Sequence, residues 1–373
     1  MQAADRAAAA PVLLAAGGTG GHLFPAEALA SALAARGVKA HLATDRRAAR
    51  YGGAFAEDSI HVISSATLRG RDPIAMSRTA ALLGVGLVQA FALLGRLKPA
   101  AVIGFGGYPT IPPVLAACWR GVPSLIHDAN AVIGRANRLL APRVSAIATT
   151  FPDVFGNDPI LAGKATLTGN PVRGAVIAAA AIPYATEPER LRLLVFGGSQ
   201  GARIMADVVP LAIGLLDAAL RRRLVIVQQV REEDLGRVRE AYAGLSVAAE
   251  VAPFFADLPA RMAASHLVVS RSGASTVAEL AAIGRPSILV PLPHALDQDQ
   301  FANAGVLEEA GGALRVTQDG FTPQRLAAEI AGLAAAPARL AAMAAAARSV
   351  GRLDAADRLA DLVLTVASRT ATK

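Results

Sequence analysis

Short runs of apolar, mostly β-branched residues alternate with longer Ala- and Leu-rich stretches along almost the whole of this 373-residue chain. A short apolar run is typical of a buried strand and a longer stretch of a helix, so the alternation predicts parallel sheets covered by helices on both faces. The candidate strands are residues 12–16, 38–43, 60–63, 101–104, 123–127, 145–149, 191–196, 224–228, 247–251, 267–270 and 287–291. Because they fall into two series, the sequence predicts an α/β protein with two doubly wound domains.

A change of pattern near residue 175 marks the expected boundary between the domains. The segment 175–188 (AVIAAAAIPYATEP) separates GNPVR from RLRLLVFGGSQGAR, where a strand followed by a glycine loop begins again, as it did at residue 12. We therefore expect an N-terminal domain over residues 11–175 and a C-terminal domain over residues 189–350. The last helix, about 353–368, could pack back on the first domain.

Basic residues are concentrated in the N-terminal half of the chain. Residues 1–175 carry 17 Lys and Arg against 9 Asp and Glu, whereas residues 176–373 carry 20 of each. A positive field on one half suits a nucleic acid, an anionic membrane surface or a phosphorylated ligand, although scattered surface charge would give the same count. The single cysteine, Cys118, excludes an intramolecular disulfide framework.

Glycine-rich loops follow three of the candidate strands: GGTGGH (17–22), FGGYP (105–109) and FGGSQGAR (196–203). Glycines between a strand and a helix let backbone N–H groups approach an anion, and the start of the helix adds a partial positive charge. Leu23 occupies the third glycine position of the dinucleotide fingerprint, and the Gly-Lys-Ser/Thr of a Walker loop is missing. Any one loop could be a tight turn without a ligand, but three loops in two domains favour a phosphate-bearing ligand in a cleft.

His22 lies where the first loop enters its helix. A histidine at this position can cap or pack, yet beside a phosphate site its ring is suited to act as a general base or a hydrogen-bonding group. The other five histidines do not have metal-ligand spacing with a second His or Cys, so the sequence predicts no metal site.

Six segments resemble, in sequence and in order, those of the MurG family of bacterial N-acetylglucosaminyltransferases, which convert lipid I to lipid II. They are GGTGGHLFPA, FGGYPT, GNPVR, FGGSQGAR, SRSGASTVAELAAIGRPSILVPLP and DQDQFANA. The resemblance extends from about residue 12 to about residue 312. It implies the GT-B fold, in which two Rossmann-like domains face a cleft. It also implies UDP-N-acetylglucosamine (UDP-GlcNAc) as donor and undecaprenyl-diphosphoryl-N-acetylmuramoyl pentapeptide (lipid I) as acceptor.

The resemblance also implies roles for individual residues. Arg173 and Ser199 look like the contacts of the donor phosphates, which their hydrogen-bond donors suit. Phe255 resembles the residue whose backbone reads uracil, and Glu279 resembles the carboxylate that binds the ribose hydroxyls. The other expected substrate-binding residues are Thr19, Gly20 and Gly21 in the first loop, and Arg271, Ala274, Ser275, Thr276, Val277 and Ala278 around the start of a helix.

Two segments depart from the family pattern. Where the family has His-Glu-Gln-Asn, this chain has Asp128 and Ala129 before Asn130, so the carboxylate is one methylene shorter and one amide is missing. Asp299 stands where Gln or His is usual, directly before Gln300. Asn130 and Gln300 themselves resemble the cleft residue and the residue that contacts the donor-sugar hydroxyls. We expect the substrate contacts of both segments to be altered.

The implied donor defines the chemistry of the site. UDP is the leaving group, so the site must stabilise a developing diphosphate and remove a proton from an acceptor hydroxyl. DQD at 297–299 has the spacing of an acidic metal-binding triplet but lies in the family's Gln segment, so we expect Arg271, Arg173 and Ser199 to stabilise the charge without a metal or other cofactor. Attack by the muramoyl 4-hydroxyl opposite UDP would invert the anomeric centre, with His22 as the expected catalytic base.

An apolar segment, residues 79–95, lies between arginines in the basic half of the chain. It only just reaches the length of a membrane span and contains three Gly and a Gln, which favours a core helix or a helix on a membrane surface. The flanking arginines are Arg69, Arg71, Arg78, Arg96, Arg135 and Arg138. We expect peripheral binding to the anionic cytoplasmic face of the bacterial inner membrane, and no nucleic acid partner. A buried helix with solvated arginines is the alternative.

Other functions fit parts of the pattern. A different UDP-sugar transferase of the same fold, acting on a lipid or a natural product, would not require the FGGYP and GNPVR segments. An NAD-dependent oxidoreductase would use the first glycine loop, but the third glycine is missing and only Asp45 is placed to bind a ribose. A nucleotide-sugar sensor without turnover would have the same motifs.

Overall fold

The computed structural model describes residues 10–17, 20–46, 55–66, 73–156, 158–186, 189–198, 201–293 and 298–370. The strands are β1 (Val12–Ala15), β2 (Ala40–Thr44), β3 (Ile60–Val62), β4 (Ala101–Gly104), β5 (Ser124–Asp128), β6 (Ala146–Thr149), β7 (Ala165–Leu167), β8 (Leu191–Phe196), β9 (Leu224–Gln229), β10 (Ala248–Ala252), β11 (Leu267–Ser270), β12 (Ser287–Leu289) and β13 (Ala313–Arg315). The α-helices are α1 (Gly20–Ala35), α2 (Pro73–Leu97), α3 (Ile111–Trp119), α4 (Arg135–Leu140), α5 (Pro159–Ala162), α6 (Gly174–Ala180), α7 (Arg203–Gly214), α8 (Ala218–Arg223), α9 (Leu235–Gly244), α10 (Leu258–Ala263), α11 (Ala274–Ile283), α12 (Asp299–Glu309), α13 (Pro323–Ala334), α14 (Pro337–Ser349) and α15 (Ala355–Thr370).

The chain forms two compact units, each built around one parallel sheet. The first unit comprises Met1–Arg173 with Asp354–Lys373, and the second comprises Gly174–Leu353. The first sheet has the strand order β3-β2-β1-β4-β5-β6-β7, and the second has the order β10-β9-β8-β11-β12-β13. Every pairing in both sheets is parallel. The predicted class, two doubly wound α/β domains, is confirmed.

The continuous apolar runs arise because the first sheet is covered on both faces. Successive residues of a strand point to opposite faces, so Val12 and Leu14 of β1 pack with Leu359 of α15, whereas Leu13 packs with Leu94 of α2. A strand buried on both sides needs apolar residues at every position. This is why β1 could be recognised from its sequence.

The last helix packs within the first unit. Helix α15 lies against α1, and the Arg36 guanidinium near the end of α1 forms ion pairs with Asp357 at 2.8 Å and with Asp361 at 2.9 Å. These two pairs are half exposed and therefore contribute little beyond the apolar contact. The first unit is thus completed by the C-terminal end of the chain.

The structure has a helix in the first half of residues 175–188, the segment that the sequence predicts to link the two domains. Residues Gly174–Ala180 form α6, which packs against α10 and α11 of the second unit. Val176, Ala179 and Ala180 are buried at helical spacing, so this Ala-rich stretch has an apolar face of its own. The second unit therefore begins before the stretch that the sequence assigned to a linker.

Candidate active site

Both sheets have a point at which successive connections leave in opposite directions. In the first sheet it lies between β1 and β4, and in the second between β8 and β11. In open parallel sheets, ligands bind beside such switch points, outside the carboxyl ends of the strands. The three predicted glycine loops follow β1, β4 and β8, and the segment containing Arg271 follows β11. The sequence motifs therefore line the switch point of each unit.

In the first unit, the imidazole of His22 lies against the backbone of two glycines. A Cβ at Gly106 would be 3.1 Å from Cε1 of His22, and a Cβ at Gly107 would be 3.4 Å from Cδ2. Both glycines have positive φ, +96° and +76°, which side chains rarely adopt. The FGGYP loop thus lets the start of α1 bring its histidine onto the end of β4.

Burial keeps this imidazole neutral. It lowers the pKa of His22 below the usual value, against a smaller opposing effect of the Phe105 carbonyl. His127, at the end of β5, is also buried, and desolvation lowers its pKa to about 4. Nε2 of His127 lies 3.1 Å from the Gly169 carbonyl oxygen. His22 is therefore in the form that can accept a proton.

Asp128 organises the loop that follows β5. Its carboxylate accepts hydrogen bonds from the backbone N–H of Asn130 at 3.1 Å, from that of Gly134 at 2.9 Å and from Nδ2 of Asn137 at 3.0 Å. Since both oxygens of this buried group are occupied, the shorter carboxylate acts as a support for the loop. Asn130 is half-buried within the same loop, beside Ala129.

The first turns of α1 also contact Arg173. Gly20 and Gly21 are the first residues of the helix, whereas Thr19 lies outside the described residues. One turn on, the Arg173 guanidinium lies over the ring of Phe24. The guanidinium carbon of Arg173 is 3.9 Å from the centroid of this ring. Phe24 has no functional signal in the sequence, because an apolar residue early in a helix is usually only part of the core.

In the second unit, Arg271 is committed to its own surroundings. Nη1 donates to the carbonyl oxygens of Val290 and Pro291, each at 3.0 Å, and Nη2 donates to the side chain of Gln318. The residue is only 9 % exposed, and burial lowers its pKa. These contacts fix the end of β12, and the expected contact of Arg271 with the diphosphate stays a prediction.

Helix α11 begins directly after this arginine. Its N-cap, Gly273, has extended backbone and no side-chain cap, so the first N–H groups of the helix are not satisfied by a cap. Such an end is suited to an anion. Glu279 lies one turn further along and is buried. The residues of α11 that precede Glu279 are Ala274, Ser275, Thr276, Val277 and Ala278.

The other predicted donor residues occupy the ends of neighbouring strands and helices. Phe255 follows β10 and is buried. The centroid of its ring lies 4.3 Å from the guanidinium carbon of Arg261. Oε1 of Gln300, in the first turn of α12, accepts a hydrogen bond from the Leu292 backbone at 3.1 Å. Asp299 Oδ1 accepts one from the Gln300 backbone at 2.7 Å, which an amide oxygen could also do. Ser199 and residues 294–297 lie outside the described residues.

The apolar segment of the first unit forms most of α2. By length and composition, Met76–Leu97 could cross a membrane, with a mean hydropathy of 1.8 and 22 % of it buried. Val85 and Val88 of this helix are 50 % and 70 % exposed, and Trp119 of the neighbouring α3 is 61 % exposed. The helix therefore has one exposed apolar face and one buried face, the latter containing Ala90, Leu93 and Leu94. Arg69 and Arg71 lie outside the described residues.

Comparisons with known proteins cover nearly the whole chain. The family model for the glycosyltransferase family 28 N-terminal domain matches residues 12–149, and that for the C-terminal domain matches residues 192–359. A UDP-N-acetylglucosamine--N-acetylmuramyl-(pentapeptide) pyrophosphoryl-undecaprenol N-acetylglucosamine transferase from Rhodopseudomonas palustris (strain BisB18) is 66 % identical, over 95 % of this chain and 96 % of that protein. A protein of the same name from Nitrobacter hamburgensis is 63 % identical, over 95 % of this chain and 97 % of that protein.

Solved structures agree with this relationship. The crystal structure of Acinetobacter baumannii MurG superimposes with a TM-score of 0.76 at 28 % identity, over 95 % of this chain and 99 % of that chain. A UDP-GlcNAc 2-epimerase from Neisseria meningitidis gives a TM-score of 0.67 at 16 % identity, over 95 % of this chain and 100 % of that chain, which shows the shared fold alone. On the strength of both domain matches and of the relatives' identity, the chain belongs to the MurG family within glycosyltransferase family 28.

Proposed function

We propose that this chain transfers N-acetylglucosamine from UDP-GlcNAc to the 4-hydroxyl of lipid I, with inversion, to give lipid II. Membership of the MurG family supports the reaction and sets aside the oxidoreductase and sensor alternatives. The observation that carries the residue-level proposal is the neutral imidazole of His22, held over Gly106 and Gly107 at the first switch point.

Proton transfer is the task we give to the first unit. The acceptor hydroxyl must lose a proton as its oxygen attacks, and His22 is the titratable side chain that the glycine loop holds at the end of β4. Because its pKa is lowered, the ring is neutral and ready to accept that proton at neutral pH. The backbone N–H groups of Thr19, Gly20 and Gly21 would bind substrate beside it.

Donor binding is the task we give mainly to the second unit. The uncapped N-terminus of α11 would receive the diphosphate, together with Ser199. Arg173, in the first unit, stays a proposed contact of the donor phosphates. Glu279 would bind the ribose hydroxyls, Gln300 the sugar and the backbone at Phe255 the uracil. Arg271, expected to help stabilise the diphosphate, also holds the end of β12 in place.

A transfer assay tests the proposal. Purified chain is incubated with labelled UDP-GlcNAc and a water-soluble lipid I analogue, with diacylglycerol as the alternative acceptor, and the linkage of the product is determined. The proposal predicts a β-linked disaccharide with the lipid I analogue only. Transfer to diacylglycerol alone, or a retained configuration, would contradict it.

Membrane docking through α2 is a separate part of the proposal. Val85 and Val88 expose apolar surface, and the exposed Arg78 and Arg96 stand at the two ends of the same helix. Apolar surface together with basic residues binds anionic bilayers, each basic residue near the surface contributing about 1 kcal/mol. We therefore propose that the chain lies on the cytoplasmic face of the inner membrane, and we propose no nucleic acid partner.

Vesicle sedimentation tests this docking. Val85→Asp with Val88→Asp should weaken binding to phosphatidylglycerol vesicles and leave transfer to the water-soluble acceptor unchanged. The matched control is Leu211→Asp with Leu215→Asp, which changes two exposed apolar residues in and just after the last turn of α7 in the second unit. Equal losses in the two double variants would contradict docking through α2.

A further inference from the structure

Arg173 ends the first of the two chain segments that form the first unit, and an aromatic ring of α1 lies against its side chain. The guanidinium carbon lies 3.9 Å from the centroid of the Phe24 ring, which is within stacking distance. A Cβ at Gly20 would lie 3.0 Å from Cε2 of Phe24, so the glycine makes room for the ring. The glycine thus leaves room for the aromatic ring, over which the guanidinium lies.

An acidic residue lies on the same face of α1 as Phe24. Glu27 follows Phe24 by three residues, and residues at this spacing lie on one face of a helix. Burial of the half-buried Glu27 raises its pKa, and the positive charge of Arg173 opposes that rise. Two residues of α1 therefore affect Arg173: Phe24 through its ring, and Glu27 through its charge.

This arrangement limits the freedom of a long side chain. An arginine that binds an anion from a flexible state loses rotamer entropy on binding, whereas one already held against a ring loses less. Stacking uses the face of the guanidinium plane, and the N–H donors lie in that plane. A stacked arginine can therefore donate hydrogen bonds to a phosphate without leaving its platform.

We infer that Phe24 and Glu27 are positioning residues, which hold the guanidinium of Arg173 in the orientation that binds the diphosphate of the donor. The inference rests on the proposed function, because it takes UDP-GlcNAc as the ligand of Arg173. It places two tasks on one helix, since α1 carries His22 at its start and the arginine platform one turn later.

Calorimetric binding of UDP, together with steady-state kinetics, tests the platform. Phe24→Leu keeps an apolar side chain but removes the aromatic face, and Phe24→Tyr keeps that face. We expect Phe24→Leu to weaken UDP binding and to raise the KM for UDP-GlcNAc by about three- to thirtyfold, with kcat nearly unchanged. Phe24→Tyr should remain close to the wild type.

A double-mutant cycle separates positioning from packing. Arg173→Lys keeps the charge but removes the planar group, so Phe24→Leu should change UDP affinity less than twofold in that background. The same factor in both backgrounds would show that the ring serves only the core and would overturn the inference. A wild-type chain that does not bind UDP would instead refute the proposed function.

The carboxylate has its own comparison. Glu27→Gln should weaken UDP binding, by less than Phe24→Leu does, whereas Glu57→Gln, at an exposed position of the same unit, should have no effect. Unchanged UDP affinity in Glu27→Gln would remove the carboxylate from the assignment. Thermal unfolding of each variant shows whether the unit is still folded.

Discussion

The two switch points have the same backbone arrangement but different side chains. Each has a glycine segment between a parallel strand and a helix. At the first, Nδ1 of His22 and Nδ1 of His127 are buried without a hydrogen-bond partner among the described residues. At the second, Arg271 and Gln300 are held by hydrogen bonds to neighbouring backbone or side chains. The first edge thus has two buried ring nitrogens without a partner, whereas the second combines side chains fixed by hydrogen bonds with the Ser275 hydroxyl at the start of α11, which is also buried without a partner among the described residues.

Removing the imidazole from the first edge should have the largest effect. If His22 is the general base, His22→Ala lowers kcat by about 10²- to 10⁴-fold and leaves the KM for UDP-GlcNAc close to the wild-type value. Initial rates at saturating acceptor analogue measure both constants. A kcat within threefold of the wild type would make the histidine structural, and Asp128, with both oxygens already occupied, would be a poor substitute.

Removing the Glu279 carboxylate from the second edge should have the opposite effect: KM should rise and kcat should change little. Glu279→Ala should raise the KM for UDP-GlcNAc by about 10- to 100-fold, because a charged hydrogen bond of about 1.5–3 kcal/mol is lost in ground and transition states alike. Glu279→Gln, which keeps the shape of the side chain, should give a smaller rise. A wild-type KM in a folded Glu279→Ala variant would remove this residue from the donor site.

A methyl group added at Gly106, at the first edge, should lower kcat by less than removal of the His22 imidazole does. Gly106→Ala introduces a strained φ and places its Cβ 3.1 Å from the imidazole, so kcat should fall by about tenfold. The matched control is Gly121→Ala, which has φ +69° but no atom within 4 Å of the added Cβ. It should lose stability through strain and keep its kcat. Equal kcat values for the two variants would mean that the diglycine does not position His22.

The sequence predicted those parts of the fold whose residues have one dominant task. Strands buried on both faces, such as β1 and β4, are apolar at each position and could be recognised directly. The edge strands β7 and β13 are three residues long and partly exposed, so neither carries such a pattern, and both were missed. Helix α6 was taken for a linker because its Ala-rich sequence resembles a surface segment until its neighbours are known.

The candidate site was predictable in its loops but not in its long-range contacts. The glycine loops could be recognised because a sharp turn or a close backbone approach requires glycine, and they follow β1, β4 and β8, the strands beside the two switch points. The partners of Arg271 could not be found, since Val290 and Gln318 lie far away in sequence. The same holds for the stack of Phe24 and Arg173, which only the folded first unit brings together.

The pH dependence of kcat tests most directly whether the first edge carries the proton transfer. A base works only when unprotonated, so a lowered pKa at His22 keeps the enzyme active below the usual histidine value of 6.5 and moves the loss of rate to lower pH. The profile is measured at saturating UDP-GlcNAc and water-soluble acceptor, for the wild type and for His22→Gln. We predict an acidic limb with a midpoint below pH 6.5 in the wild type that disappears, together with most of the rate, in His22→Gln. An acidic limb at the same pH in both proteins would contradict the account, because another group would then be the base.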